Sequence, residues 1–256
     1  MSKTVLVVYA HPEPKSLTRT FVSETLQTLE SLGYNVLQSD LYSMNWKATF
    51  DEADFPSRAN AEKLMFIQES EHAYTTAQQT HDVHAEQQKL LAADAVIFHF
   101  PLWWFGMPAI LKGWIDRVYA YGFAYGYKGQ GNRYRYGDGI FKGKRAILSV
   151  MVGGPSQDYS PRGINGPLDE LLFPITHGAL FFPGFDVLPT HAVYGTGKVE
   201  PNLIKKELRS WSVRLEHLFD EAPIPYRRQN SGDYEANTLV NHLATDKTGL
   251  SIHTDD

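Results

Sequence analysis

The sequence contains no cysteine. That excludes disulfides, zinc ribbons, iron–sulfur clusters and a thiol nucleophile. Nor is there a surplus of positive charge: 24 Lys and Arg stand against 29 Asp and Glu, a net charge of −5. A nucleic-acid or anionic-membrane partner would want a basic excess, so neither is expected. No apolar run approaches the ~18 residues of a membrane-spanning helix, and residues 5–10 are too short for the core of a secretion signal. A cytoplasmic protein is the expectation. Several short fingerprints are missing too. Gly129, Gly131, Gly137 and Gly139 do not follow a strand as a dinucleotide-binding turn would, and neither a P-loop nor a G-x-S-x-G elbow is present. His81 and His84 lie three apart without a third ligand nearby, and His177 has no partner, so no metal site is expected. The carboxylate pair Asp169-Glu170 falls on an expected helix with no aromatic cleft, which argues against glycosidase chemistry.

What the chain does have is 256 residues, enough for one large α/β domain or two small ones, with 43% hydrophobic and 21% charged residues, the make-up of an ordinary globular protein. Residues 4–10, TVLVVYA, form a continuous β-rich run suited to a central parallel strand. His11-Pro12-Glu13-Pro14 then forces a loop. Ser16 is a good N-cap for a helix whose apolar face holds Leu17, Phe21, Val22, Leu26, Leu29 and Leu32, with Gly33 ending it. Residues 35–41 make a second strand. From Tyr42 to about His81 the pattern degrades, with a short helix expected over 61–70. Asp82 is expected to cap a helix through Ala93 with Val83, Leu90 and Leu91 inward. Residues 95–100, AVIFHF, are a third strand, and Pro108 opens a helix with Ile110, Leu111, Trp114, Ile115, Val118 and Tyr119 on one face.

A Gly- and Tyr-rich loop fills 121–144, followed by a fourth strand at 145–152. Residues 166–178 look helical with a break at Pro174, 185–194 make a fifth strand, and Pro201 starts a last helix with Ile204, Leu208, Trp211, Leu215 and Leu218 inward. Strands alternating with helices imply an α/β fold, a doubly wound five-stranded parallel sheet of the flavodoxin-like kind. The expected division is one domain over 1–222 and a polar C-terminal arm over 223–256, carrying Arg227, Arg228, Asn230 and Gly232.

Three strand ends carry unusual residues, and in such a sheet they converge on one crevice. The first, His11 to Thr18, offers hydroxyls and helix N-terminal N–H groups, a natural anion seat. The second, Pro101 to Phe105, offers adjacent flat aromatics that need covering. The third offers Gly153-Gly154, whose missing side chains let a flat ring approach the backbone. Each alone has a plainer explanation: Ser16 a helix cap, the aromatics a dimer contact, the glycines a turn, His11 a side chain satisfying a backbone group. Together they suit a flavin nucleotide.

The segment FPLWWFGMPAILKGWIDRV at 100–118, preceded by AEQQKLLAADAVIF, resembles the flavin-dependent NAD(P)H:quinone oxidoreductases of the DT-diaphorase group. The likeness extends to VLVVYAHPEPKS, SDLYSMNW, GFAYGY, GGPSQDYSPRGINGP and GFDVLP, and covers roughly residues 3 to 220 in consistent order. It implies a homodimer of flavodoxin-like subunits with two flavin sites at the interface. Hydride passes from NAD(P)H to the flavin and, in a second ping-pong half-reaction, to a quinone. FAD is the expected flavin, with FMN the alternative.

By the same resemblance His11, Ser16, Leu17 and Thr18 would hold the pyrophosphate end of the cofactor. Pro101, Leu102, Trp103, Trp104 and Phe105 would line its ring system, Trp104 against the ring and Phe105 facing the substrate. Met151, Val152, Gly153 and Gly154 would run along its pyrimidine side. Tyr125 and Tyr127 match the paired tyrosines that a partner subunit lends to the substrate pocket, and Tyr159 matches a tyrosine that donates a hydrogen bond as negative charge develops on the flavin. Two positions depart from the family. Asn165 stands where its better-known members have a histidine, keeping a hydrogen-bond donor but no proton to exchange near neutral pH. Met151-Val152 replace residues that commonly carry hydroxyls. Tyr159 and Asn165 are the catalytic candidates. The other readings are an azo- or nitro-compound reductase on the same scaffold, a flavin-binding regulatory subunit of a membrane transporter, and a flavodoxin-like electron carrier that would not oxidise NAD(P)H directly. The arm would pack on the dimer partner.

Overall fold

In the computed structural model, which describes residues 2–198 and 200–255, the long apolar runs all become parallel strands. The elements in chain order are β1 (Thr4–Tyr9), α1 (Leu17–Ser31), β2 (Asn35–Asp40), α2 (Phe66–Thr75), α3 (His81–Ala92), β3 (Ala95–Pro101) and α4 (Ala109–Val118). They continue with β4 (Arg145–Met151), α5 (Leu168–Phe173), β5 (Asp186–Val187), β6 (His191–Val193), α6 (Pro201–Glu216) and an antiparallel pair, β7 (Tyr234–Glu235) with β8 (Thr238–Leu239). The sheet order is β2-β1-β3-β4-β5, all parallel, with β6 also on β4. This is the expected doubly wound arrangement, its order reversing beside β1.

Strand alternation sorts the sheet's side chains onto two cores. Leu6, Val8, Val96, Phe98, Ala146 and Leu148 face the layer of α3, α4 and α5. Val5, Val7, Ala95, Ile97 and Ile147 face α1 and α6, where Trp211 and Leu215 are fully buried. Both faces are covered, which is why these strands read as unbroken apolar runs. On α4, Leu111, Trp114, Ile115 and Val118 are buried as the periodicity predicts, and Trp114 Nε1 donates to the buried Glu86 carboxylate at 2.9 Å. Gly113 has a steric reason: a Cβ there would lie 2.0 Å from the Ala48 carbonyl oxygen, so the 42–65 excursion crosses α4 at backbone distance.

Four local expectations need correction. The helix expected over 61–70 lies at Phe66–Thr75, because Asn60 Oδ1 accepts the N–H groups of Glu62 and Lys63 and holds that stretch in a turn. The Asp82 carboxylate does not cap α3 from outside. Asp82 is the second residue of the helix, behind the N-cap Thr80, and pairs with Arg117 at 2.8 Å, while Leu91 is 40% exposed rather than inward. Pro174 does not break its helix; the chain continues through it as a wide π-helical stretch, Pro174–Phe181. The expected fifth strand is two short pieces on β4, parted around Pro189, which has no N–H for the ladder.

From Pro223 the arm folds back on its own chain. Ile224 N–H reaches the Val187 carbonyl at 2.7 Å, and the hydroxyls of Tyr226 and Thr176 meet at 2.8 Å. Arg228 pairs with Asp186 at 2.6 Å.

Candidate active site

Strand register brings the three unusual loops to one level. Ala10 N–H bonds to the His99 carbonyl at 3.0 Å, and Leu102 N–H to the Met151 carbonyl at 2.9 Å. The loops after β1, β3 and β4 therefore leave the sheet side by side at its carboxyl edge. The first two touch: the rings of His11 and Trp103 lie 5.9 Å apart.

The first loop is built around helix N-terminal chemistry. Ser16 is the N-cap, its Oγ accepting from Arg19 N–H at 3.2 Å. Leu17 and Thr18 begin α1, so their N–H groups have no partner within the helix, and the first turn carries no acidic residue. Thr18 is buried. Glu13 N–H donates to His11 Nδ1 at 3.0 Å. Neutral His11 thus carries its proton on Nε2, which is left as a donor. Burial lowers its pKa, favouring that neutral form.

The second loop is a tight turn. Trp103 and Gly106 exchange both backbone hydrogen bonds at 3.1 Å, leaving Trp104 and Phe105 as its two central residues. Both have positive φ, 50° and 60°, which a type I′ turn requires and side chains other than glycine resist. Trp104 is 97% exposed. A strained turn that holds two large aromatics in solvent is the site's most unusual feature.

The third loop runs above β4. Met151 and Val152 are buried, and Val152 N–H is taken by the Val193 carbonyl at 2.8 Å. What faces outward is Gly153, where a Cβ would meet nothing within 4 Å, and Gly154, where it would lie 3.1 Å from Tyr159 Cε2. Tyr159 ends a short turn of helix, Ser156–Tyr159. Asn165 is folded onto the same loop, its N–H bonding the Asp158 carbonyl at 2.9 Å.

Sequence reasoning missed a fourth loop, after β6. Gly195 N–H bonds the Gly154 carbonyl at 2.8 Å, and the Tyr194 ring lies 5.8 Å from Tyr159. Its available signal was position: it ends the strand next to β4. Tyr125 and Tyr127 have Tyr121 and Tyr134 as their ring neighbours. Among the described residues no group of three or more His, Asp or Glu is placed to hold a metal ion. No helix among them is long and apolar enough to cross a membrane.

Comparison with known proteins agrees with this geometry. The family described as the flavodoxin-like fold matches residues 3–215. A ribosyldihydronicotinamide dehydrogenase-like protein, traD, of Penicillium crustosum is 45% identical, the match covering 98% of this chain and 95% of that one. NAD(P)H dehydrogenase [quinone] 1 of Rattus norvegicus is 39% identical over 98% of this chain and 92% of its own. A crystal structure from Klebsiella pneumoniae, described as that of a candidate quinone reductase, superposes with a TM-score of 0.96 at 48% identity, covering 99% of this chain and 100% of that one. The chain belongs to the NAD(P)H:quinone oxidoreductase family, on the flavodoxin-like fold.

Proposed function

We propose that this chain binds a flavin, FAD in preference to FMN, in the carboxyl-edge crevice and reduces quinones with NAD(P)H in two alternating half-reactions. The observation that carries the reading is the Trp103–Gly106 turn. Its positive-φ Trp104 and Phe105 hold flat side chains in solvent, beside the open first turn of α1 and the bare backbone of Gly153. Strain of this kind, of order 1–3 kcal/mol per residue, persists where the surroundings impose it, and it clusters at ligand sites. The donor set fits the cofactor: N–H groups and a hydroxyl for the phosphates, aromatic walls for the ring, and a floor without side chains.

When bound, the flavin supplies the hydride chemistry, accepting from NAD(P)H and delivering to the quinone. The chain's own residues do the rest. His11 Nε2–H, Ser16 and the N–H groups of Leu17 and Thr18 hold the pyrophosphate. Pro101, Leu102 and Trp103 support the wall, Trp104 covers the ring, and Phe105 meets the substrate. Met151 and Val152 carry the glycine floor from beneath. Tyr159 presents its hydroxyl as a donor where negative charge accumulates, and Asn165 adds an uncharged donor from the same loop. With Trp104 over one side of a bound ring, nicotinamide and quinone would share the other side beside Phe105 and so would bind in turn.

The working unit in this reading is a homodimer in which Tyr125 and Tyr127 complete the crevice of a second copy. Their ring neighbours, Tyr121 and Tyr134 rather than the crevice aromatics, support that assignment. The 1–222 domain carries the chemistry, the 223–256 arm also meets the partner, and the enzyme works in the cytoplasm. The absorbance spectrum of the purified protein is the test. A yellow protein bleached by NAD(P)H and recoloured by a quinone is expected, with slower recolouring by an azo dye or a nitroarene. A colourless protein that retains no added FAD or FMN would sink the reading.

A further inference from the structure

The loop over residues 153–166, GGPSQDYSPRGING, carries one charge of each sign, Asp158 and Arg162. Neither has a role in the crevice as described so far. The backbone at Asp158 is held from two sides. Its N–H bonds the Pro155 carbonyl at 3.1 Å, and its carbonyl accepts from Asn165 N–H at 2.9 Å. The returning chain also presses on it: a Cβ on Gly163 would lie 2.3 Å from the Asp158 carbonyl oxygen and 2.4 Å from that of Gln157. Only glycine passes there, and the Asp158 side chain leaves a backbone fixed in place.

That side chain reaches over the glycine floor. A Cβ on Gly154 would stand 3.7 Å from Asp158 Oδ2 and 3.7 Å from Tyr159 Oη. A carboxylate and a phenol hydroxyl thus flank one bare point of backbone. Asp158 is half-buried there, and among the described residues its carboxylate accepts no hydrogen bond and enters no ion pair. Other sheltered aspartates of the chain are matched: Asp40 with Arg19, Asp54 with Arg117 and Asp138 with Lys142. Arg162 is exposed and does not pair with Asp158. One negative charge is therefore left uncompensated at the floor of the crevice.

Hydride transfer carries two electrons and one proton from NAD(P)H, which leaves as NAD(P)+, and adds one negative charge to the bound ring system. Passing that hydride to a quinone, with one proton from water, gives the hydroquinone and removes the charge. The Tyr159 hydroxyl and Asn165 favour the added charge, whereas an ionised carboxylate beside them opposes it. Resting on the flavin reading, we propose that Asp158 is the residue that sets the electron affinity of the crevice. It holds the bound flavin at a lower midpoint potential than the Tyr159 and Asn165 donors alone would give, so that reduced flavin yields its hydride more readily to the quinone.

The test is the midpoint potential of the FAD-loaded full chain at pH 7, read from its absorbance while it equilibrates with a reference dye. Asp158→Asn removes the charge and keeps the shape. It should move the reduced-to-oxidised ratio roughly tenfold toward reduced flavin, about 30 mV upward for a two-electron couple. Asp158→Glu keeps the charge and should stay nearer the wild type than the Asn variant does. A merely structural role would move both variants alike or neither. As a second measurement, the affinity of Asp158→Asn for reduced FAD should rise roughly tenfold relative to its affinity for oxidised FAD, as linkage requires. An unchanged or lowered potential in Asp158→Asn would overturn the proposal, and so would equal shifts in the Asn and Glu variants. Protein that holds neither FAD nor FMN would overturn the flavin reading as well, whereas protein that holds flavin and shows no shift overturns this proposal alone.

Discussion

Two buried histidines under the crevice should make this protein acid-sensitive. His99 on β3 is fully buried. Thr25 Oγ1 donates its one proton to the Phe21 carbonyl at 2.7 Å and accepts from Trp211 Nε1 at 2.7 Å. Its 2.9 Å contact with His99 Nε2 therefore needs the ring to donate. Neutral His99 is thus protonated on Nε2, and its Nδ1 has no partner among the described residues. A second proton would place an unpaired charge in the core. Burial, then the neighbouring His191, hold His99 down to about 3. His191 shares its level across β4 through Ser149, and burial, then Arg214, hold it to about 4. In the unfolded chain both would titrate near ~6.5.

A depressed histidine pKa means that the unfolded state takes up the proton first. The stability is complete above about 6.5 and falls as pH drops toward the folded values of about 3 and about 4. Between pH 7 and pH 5 each ring should remove about 2 kcal/mol, or about 4 kcal/mol for the pair. Urea unfolding at the two pH values measures this for the wild type, His99→Gln and His191→Gln. Each variant should recover about 2 kcal/mol of the difference. Any general destabilisation by the substitution cancels, because the measured quantity is the change between two pH values in one protein. If His99→Gln loses as much stability as the wild type, the ring does not titrate as argued, and the hydrogen-bond assignment around Thr25 is wrong.

Stopped-flow reduction by NAD(P)H should be roughly tenfold to a thousandfold slower in Tyr159→Phe, the range for one lost charge-stabilising donor; an unchanged rate would remove Tyr159 from the chemistry. Trp104→Gly should raise stability by up to about 1 kcal/mol in urea, because it relieves a φ of 50° at a side chain that is 97% exposed. The same variant should hold flavin roughly tenfold more weakly, and wild-type flavin affinity would show that the ring covers nothing. Arg117→Met should cost about 1.5–3 kcal/mol, since Arg117 Nε and Asp54 Oδ1 meet at 2.6 Å with both side chains buried, and Asp54 would lose that charge-assisted bond while keeping Lys47 at 2.9 Å. A melting temperature equal to the wild type's would contradict it.

The sheet was legible in the sequence because burial on both faces writes itself as unbroken apolar runs, as at 4–10 and 145–151. Once strands and helices alternate, strand order follows from few alternatives, and the crevice follows from strand order. Where side chains compete with the backbone, the pattern misleads: Asn60 and Glu69 capture four N–H groups around residues 59–63 and push α2 toward the C-terminus. The arm was illegible for a different reason, since its order comes from distant partners such as Arg135 with Asn237 and His177 with His253, which no local period encodes.

The crevice combines both cases. Its residues were readable as chemistry, but the type I′ turn was not, because that turn is normally announced by Asn-Gly or Gly, and here it is made by Trp104 and Phe105. Local propensity and observed backbone disagree at the point where flat side chains face solvent. That disagreement supports a ligand site more strongly than the aromatic composition of the loop does: aromatics alone would also suit a dimer contact, whereas a contact surface gives no reason to hold two of them in left-handed backbone.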